Sequence, residues 1–346
     1  MSKKYTIRKI EDKKEYTPFI IRDLVPLTEE WWYGDLQIKM GKKVLRVSIS
    51  FGGEIVGFAQ VILYPFFGKK TYAYIPYGPI INKIDFNLHK ELEEYVNVFF
   101  KEENIVCVRQ EIAESISNHF KKTPKVFVRG GYVQPRFEWE IALLDLDSTL
   151  FASYRKQTRK NIRRAESLGV YVKIFDSNLV ENFHILISLL KQTAGRKSFL
   201  LYEEEYYKEM VKILDREKNG FLAIAYGQDN VPLSGSLHVI VGKMAYGIFG
   251  GSSNERRDEF GPFILKYHAM KYARKCHCTS FSIGGIIPPG EDKQYKSWQG
   301  FSHFKQSFGG FYLSHGLLVD HVFRKKIYFS FLILKFLKYY VRIKRK

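Results

Sequence analysis

The sequence is short of cysteine, of long apolar runs and of acidic residues, and each shortage excludes something. Its three cysteines, Cys107, Cys276 and Cys278, are an odd number without framework spacing. That excludes a disulfide-stapled secreted domain and points to a reducing compartment. Cys276, His277 and Cys278 stand too close together to share one tetrahedral shell, and no second Cys/His pair follows, so no metal site is expected. No run reaches the ~20 apolar residues of a membrane span. The nearest candidate, Ile327 to Leu334, is followed by Lys335 and Lys338. Met1 to Tyr16 is charged and lacks the apolar centre of an export signal, so a cytoplasmic location is expected. Only 36 acids face 55 Lys and Arg, a formal net charge of +19. Such an excess calls for a polyanionic partner: nucleic acid, a phosphorylated small molecule or an anionic membrane face.

What is present suffices for packed cores. The 346 residues are 45% hydrophobic and 16% aromatic, enough for two domains of ordinary size. Lys43 to Phe51, the turn Gly52-Gly53-Glu54 and Ile55 to Tyr64 read as a hairpin, which returns through Gly68-Lys69-Lys70 into Thr71 to Ile75. The same grammar recurs in Phe221 to Tyr226, Gly227 to Asn230, Val231 to Val241, Gly242-Lys243 and Met244 to Phe249. Helical segments such as Leu88 to Glu102 and Leu179 to Gln192 lie between. The expected class is α/β of the α+β kind, in two similar halves, each a mostly antiparallel mixed sheet flanked by helices. The division is expected at 1–147, 148–322 and a basic, apolar C-terminal helix at 323–346. The join lies near Asp145 to Thr149, where Leu146 ends an apolar run, Ser148 caps the next helix and Gly169 terminates it.

On that helix Phe151, Tyr154, Thr158, Ile162, Ala165 and Leu168 recur at three and four, the spacing of a buried stripe. The other faces carry Arg155, Lys156, Arg159, Lys160, Arg163 and Arg164 before the first acid, Glu166. A solvated basic face is the ordinary reading. Six cations without a paired acid favour a phosphate-rich ligand instead.

Ordered motifs along nearly the whole chain resemble the Fem family, the non-ribosomal peptidyltransferases that build peptidoglycan cross-bridges. They are Tyr74-Ile75-Pro76-Tyr77-Gly78-Pro79; Thr158 to Ala165 with Gly169-Val170; Arg196 through Phe199 with Tyr206-Tyr207; and Tyr246 to Asn254 with Gly250-Gly251-Ser252 before a helix near Pro262. Phe281-Ser282-Ile283-Gly284-Gly285, then Gly300-Phe301, Phe304-Lys305 and Phe308-Gly309-Gly310, complete the set. The resemblance implies two tandem acyltransferase domains of the GNAT kind, in a compact member without a coiled-coil arm. It further implies transfer of an amino acid from aminoacyl-tRNA to the peptide of a peptidoglycan precursor, lipid-linked or UDP-linked, with no cofactor and as a monomer, and makes Arg155, Lys156, Arg159, Lys160, Arg163 and Arg164 the expected tRNA-binding set. Tyr77 stands where the family commonly has arginine, Glu138 where it has threonine, Ser282 where it has aspartate, and Glu111-Ile112 where it often has Asp-Pro.

Aminoacyl transfer needs donors for the oxyanion that develops at the ester carbonyl. Lys305 is the candidate, in a glycine-rich setting with Gly284 and Gly285 that permits close approach. Phe304 is a candidate stacking partner for the terminal adenosine, against its ordinary reading as core. Tyr206, Tyr207 and Tyr246 are candidate substrate contacts through their phenols. Arg196 is suited to gripping a carboxylate or pyrophosphate in bidentate fashion, and Lys39 is a further phosphate contact. Glu111 is the candidate proton acceptor for the attacking amine.

A coenzyme A-dependent N-acyltransferase is the alternative. In the place of that class's pyrophosphate loop the chain has Arg257-Asp258-Glu259-Phe260-Gly261-Pro262, where Pro262 removes an amide donor. A non-catalytic RNA- or membrane-binding protein is the other class, which charge supports but the Phe-Lys and Gly-Gly clusters do not explain. In the tail, Arg324-Lys325-Lys326, the apolar residues from Ile327 to Leu337, and Lys338, Arg342, Lys344, Arg345 and Lys346 follow Asp320 without an acid. That pattern reads either as a basic amphipathic helix lying against the inner face of the cell membrane or as a helix packed on the protein's own core.

Overall fold

The computed structural model describes the chain apart from residues 1–4, 19–24, 67, 83–84, 113–120, 123–125, 129–133, 145–146, 198–199, 292–295 and 345–346. Leu146 and Phe199, singled out above, lie outside the described residues, as do the side chains from Lys335 onward. The chain forms two compact units, one of residues 1–134 with 315–346 and one of residues 135–314.

The first unit begins with β1 (Tyr5–Lys9), α1 (Trp31–Lys39), β2 (Val44–Phe51), β3 (Glu54–Pro65), β4 (Thr71–Ile75) and β5 (Ile80–Ile81). It continues with α2 (Phe86–Phe99), β6 (Ile105–Ile112) and β7 (Val126–Val128). Asp85 caps α2 by accepting from the Asn87 N–H at 2.8 Å. The helix buries Leu88, Leu92 and Val96 against Val47, Val61 and Val108 of the sheet. The second unit contains β8 (Phe137–Ala142), α3 (Asp147–Ser153), α4 (Lys156–Ser167), β9 (Tyr171–Phe175), α5 (Leu179–Lys197) and α6 (Glu204–Glu217). After these come β10 (Gly220–Tyr226), β11 (Pro232–Val241), β12 (Met244–Ser252), α7 (Gly261–Lys275), β13 (Ser280–Gly285), α8 (Gln299–Gln306) and β14 (Phe311–Ser314). The chain then returns to the first unit with β15 (Leu317–Val322) and α9 (Lys325–Lys344).

Both sheets follow one plan. The first runs β1-β2-β3-β4-β6-β15-β7, with β5 beside β3, and the second runs β14-β8-β13-β12-β11-β10-β9. Read from the other end, the second sheet matches the first strand for strand. In each, an antiparallel meander meets a parallel neighbour, β4 with β6 and β12 with β13. The correspondence accounts for the repeated turn grammar of the sequence.

The division differs from the one expected at 147/148 and 322/323. β8, assigned by the sequence to the first half, pairs with β13 and β14 of the second sheet. β15, assigned to the second, lies between β6 and β7 of the first. The helix α9 is no separate segment either. Its Tyr328 is buried with Val106, Cys107 and Val322, and its hydroxyl donates to Asp320 Oδ2 at 2.7 Å. Asp320 in turn holds Arg109 in a buried two-bond ion pair, Nε to Oδ1 at 2.7 Å and Nη2 to Oδ2 at 3.0 Å.

The expected helix through Phe151 and Leu168 is two helices. The Arg155 N–H donates to the Ser307 carbonyl at 2.9 Å, not to the preceding turn, and the chain bends there. The stripe survives the bend, with Tyr154, Thr158, Ile162 and Ala165 buried, and Gly169 at φ 75° closes α4.

Candidate active site

In the second sheet β12 and β13 pair only from Met244–Ser280 to Tyr246–Ser282. Beyond that point β12 continues to Ser252 against β11 alone, while β13 turns at Gly284, φ 81°, so that Gly285 faces Glu138 of β8. The left-handed backbone at Gly284 is one that only glycine adopts freely. A side chain on Gly285 would collide with Pro135. The two strands thus part beyond Tyr246, leaving a gap bordered by glycine backbone.

Lys305, on α8, brings its ammonium to this gap and donates from Nζ to the Gly285 carbonyl at 2.6 Å. Nζ also lies 5.0 Å from the centre of the Phe301 ring. Burial pulls its pKa down to about 7; the Glu138 carboxylate opposes that shift and the Lys266 ammonium adds to it. Lys266, on α7, borders the same gap, since a Cβ on Gly247 would stand 3.4 Å from its Nζ and 3.5 Å from His238 Cε1. Burial alone lowers Lys266 to about 8. His238 is fully buried, shares a 2.6 Å hydrogen bond between Nε2 and Ser236 Oγ, and is held well below its ordinary pKa by burial and then by Lys266. Among the described residues neither ammonium is ion-paired with an acid. The Ser282 hydroxyl donates to Glu138 Oε2 at 2.6 Å, occupying the carboxylate closest in effect to Lys305.

The remaining sequence candidates of this unit divide into groups. Gly284, Gly285 and buried Tyr246 lie at the gap with Lys305. Phe304 packs its ring edge-on against Phe263 at 5.1 Å and Phe308 at 5.2 Å, half-buried against the core. Arg196 sits roughly 16 Å further along β12, at ~3.3 Å per residue from Gly247 to Ser252. There it donates to Ser252 Oγ at 2.9 Å, to the Ser253 carbonyl at 3.3 Å and to the Asn254 side chain. Its donors clamp the end of the strand. Tyr206 stacks on Tyr202 at 4.5 Å, and buried Tyr207 accepts from the Tyr202 N–H at 3.3 Å and packs on Phe249.

Of the basic helix, Arg155, Lys156, Lys160, Arg163 and Arg164 are exposed. Arg159 donates to the Ala152 carbonyl at 3.0 Å and to the Tyr154 carbonyl, and so closes α3. Arg163 lies over the Phe151 ring at 5.4 Å. Through the Arg155–Ser307 hydrogen bond the start of this helix is tied to the residue that ends α8, two positions along the chain from Lys305.

In the first unit the corresponding parallel pair runs to Ile75–Gln110. β4 then ends in a turn with Tyr77 at φ 60°, while β6 continues through Glu111. Glu111 is buried; Oε1 accepts from the Tyr74 hydroxyl at 2.6 Å and Oε2 from the Tyr77 N–H at 2.8 Å. Burial pushes its carboxyl up to about 7 against those two hydrogen bonds and nearby His315. The His315 ring stacks on Tyr77 at 3.8 Å. Glu29, also fully buried, accepts from the Gln60 N–H at 2.8 Å and the Tyr16 hydroxyl at 3.2 Å, and burial holds it well above the usual carboxylate range. A side chain on Gly78 would collide with the Glu29 carboxyl. Lys39 ends α1 and is exposed.

Sequence reasoning missed Lys266, His238 and Glu29. A signal existed for the first: Lys266 heads the stripe Ala269, Met270 and Ala273 on the buried face of α7, where a cation is out of place.

Models of the FemAB family match residues 126–226 and 215–314, together more than half of the chain. The chain belongs to the FemAB family. A lipid II:glycine glycyltransferase of Staphylococcus aureus (strain bovine RF122 / ET3-1) is 23% identical, over 88% of this chain and 89% of that protein. One of Staphylococcus epidermidis (strain ATCC 12228 / FDA PCI 1200) is 22% identical with the same coverage. A crystal structure of FemX matches with a TM-score of 0.77 at 18% identity, over 93% of this chain and 98% of that one. A tandem GNAT protein from the clavulanic acid pathway matches with a TM-score of 0.54 at 9% identity, over 92% and 98%. These likenesses establish the fold as tandem GNAT-like units, and membership makes this FemAB protein an aminoacyltransferase acting on a peptidoglycan precursor. In the loop where a coenzyme A enzyme would hold pyrophosphate, Arg256 is bonded to Asp229 and Glu259, and the turn before α7 carries Asp258. Acids there oppose pyrophosphate binding.

Proposed function

We propose that this protein moves an amino acid from aminoacyl-tRNA to the peptide of a lipid-linked peptidoglycan precursor, with the β12–β13 gap receiving the acylated 3′ end. The observation that carries this reading is the hydrogen bond from Arg155 to Ser307, which joins the basic helix to the helix bearing Lys305. Phosphates of the donor stem on α4 and the ester at Lys305 are then ends of one ligand. The acceptor amine attacks the ester carbonyl and gives up a proton, the acyl C–O bond to the ribose breaks, an amide forms, and the ribose oxygen takes a proton and leaves as the free hydroxyl of the tRNA 3′ end. The Lys305 ammonium is placed to hold the carbonyl oxygen as it becomes negative. Glu111 is the proposed proton acceptor, since a carboxyl titrating near 7 is poised for that task at neutral pH. The lipid-linked acceptor is favoured by the lipid II:glycine glycyltransferases among the relatives. It is favoured too by the basic C-terminal helix, which we assign to the surface of an anionic bilayer.

The test is transfer of a radiolabelled amino acid from charged tRNA to purified lipid-linked precursor and, in parallel, to the UDP-linked form. Lys305→Ala is expected to lower kcat by about 10²-fold or more with tRNA affinity kept within a few-fold. Unchanged turnover in a folded variant would remove Lys305 from the chemistry.

A further inference from the structure

Two half-buried lysines border one gap with their ammoniums largely desolvated, and only one of them, Lys305, belongs to the motif that identified it. Lys266 reaches the gap from α7. Its neighbour Phe263, one turn earlier on the same helix, packs at 5.1 Å against Phe304, the residue before Lys305, so the two lysines leave adjoining points of two packed helices. Gly247 and Gly284 form the opposite wall: a Cβ at Gly284 would stand 3.5 Å from the Gly247 carbonyl and 3.7 Å from Lys305 Nζ, and one at Gly247 would stand 3.4 Å from Lys266 Nζ. The titratable groups facing them are Glu138, whose Oε2 is engaged by Ser282, and neutral His238, whose Nδ1 is buried without a hydrogen-bond partner. Removing two like charges from water without an acid to pair them is unfavourable, and folding alone gives no return for it. The arrangement becomes favourable once an oxyanion enters.

We propose that Lys266 and Lys305 together form an oxyanion-binding site in the gap between β12 and β13, and that Lys266 contacts an oxygen of the aminoacyl donor. This rests on the donor assignment made above. The oxygen has two sources of the same chemistry, the phosphodiester next to the 3′-terminal nucleoside and the carbonyl oxygen that turns negative during transfer. Lys266 is thereby a second substrate-contacting cation of the reaction.

Lys266→Met and Lys266→Gln remove the charge while keeping length and bulk, and Lys266→Arg keeps the charge. A short RNA with the tRNA 3′-terminal sequence serves as the binding probe, and transfer to the precursor reports kcat. If the phosphodiester is the ligand, the Kd for the RNA weakens about 10-fold or more in the Met and Gln variants, and kcat at saturation is kept. If the reacting carbonyl is the ligand, Kd is unchanged and kcat falls by about the same factor. In either case Lys266→Arg recovers part of the loss, and the Tm of the unliganded Met variant rises, since an unpaired, desolvated charge has been removed. Unchanged Kd and kcat in a folded Met or Gln variant overturn the proposal. So does a fall in Tm shared by the Met and Gln variants, because that marks Lys266 as a purely structural cation. The parent enzyme, assayed alongside for transfer from charged tRNA, reports separately on whether aminoacyl-tRNA is the donor.

Discussion

Glu111 in one unit and Lys266 and Lys305 in the other tilt the dependence of stability on pH in opposite senses. The Glu111 carboxyl binds its proton more tightly folded, at about 7, than its ordinary 4.5, so its contribution is lost as pH rises from about 4.5 to 7. The two lysines hold their protons less tightly folded, at about 8 and about 7, than the ordinary 10.5. The unfolded chain therefore binds more protons across that window, and stability rises with pH from about 7 to 10.5. Thermal unfolding scanned over pH should show both limbs, with Glu111→Gln flattening the acidic one and Lys305→Met the alkaline one. Parent-like slopes in both variants would reject the assignments. The same Glu111→Gln variant should transfer about 10²-fold more slowly, and its rate should lose the rise near pH 7. Residue by residue, the departures from the family pattern are paired in space. Ser282 bonds Glu138, so a carboxylate expected on β13 sits on β8, and Tyr77 bonds Glu111 through its backbone. Lys305 and the two glycines were legible because a motif marks them. Contacts between departures were not, since β8 and β13 are joined only by long-range pairing.

At the scale of elements, the hairpins of both sheets follow from period-two apolar runs broken by Gly52-Gly53 and Gly242, and these are read locally. The exchange of β8 and β15 is not. Both are short, buried strands, and nothing within Phe137–Ala142 or Leu317–Val322 tells which sheet will take it. The bend at Tyr154–Arg155 escaped notice for a similar reason, because the carbonyl that competes for the Arg155 amide belongs to Ser307. This bend sorts the basic residues of α4. Neutralising exposed Lys156 and Lys160 should weaken tRNA binding and flatten its log–log salt slope by roughly one unit per lost contact, with Tm unchanged. Replacing Arg159 should instead lower Tm, since it closes α3 through two carbonyls. An unaltered salt slope in the Lys156/Lys160 double variant would return this face to plain solvation.

For the molecule as a whole, the charge of +19 is concentrated where polyanions are expected, and the last stretch is its extreme case: after Asp320 no acid occurs. The first half of α9 belongs to the core through Tyr328, and Phe66 stacks on Tyr328 and meets Phe331. Phe329, Ile333 and Leu334 face outward. Removing the chain from Phe323 onward should therefore destabilise the first unit, whereas removal from Lys335 onward tests docking alone. We expect the shorter deletion to abolish sedimentation with anionic vesicles, to leave binding to neutral ones as it was, and to hold Tm within a few degrees. Retained sedimentation would place membrane attachment elsewhere in the chain. The position of β15 has one more consequence, and it concerns time. A ribosome synthesises every strand of the second sheet before it makes the strand that the first sheet lacks, so the domain begun first is the one finished last. Until Leu317 to Val322 emerges, β6 keeps an open edge and Arg109 waits without Asp320. A nascent chain of this protein thus carries an unfinished sheet through more than half of its own translation.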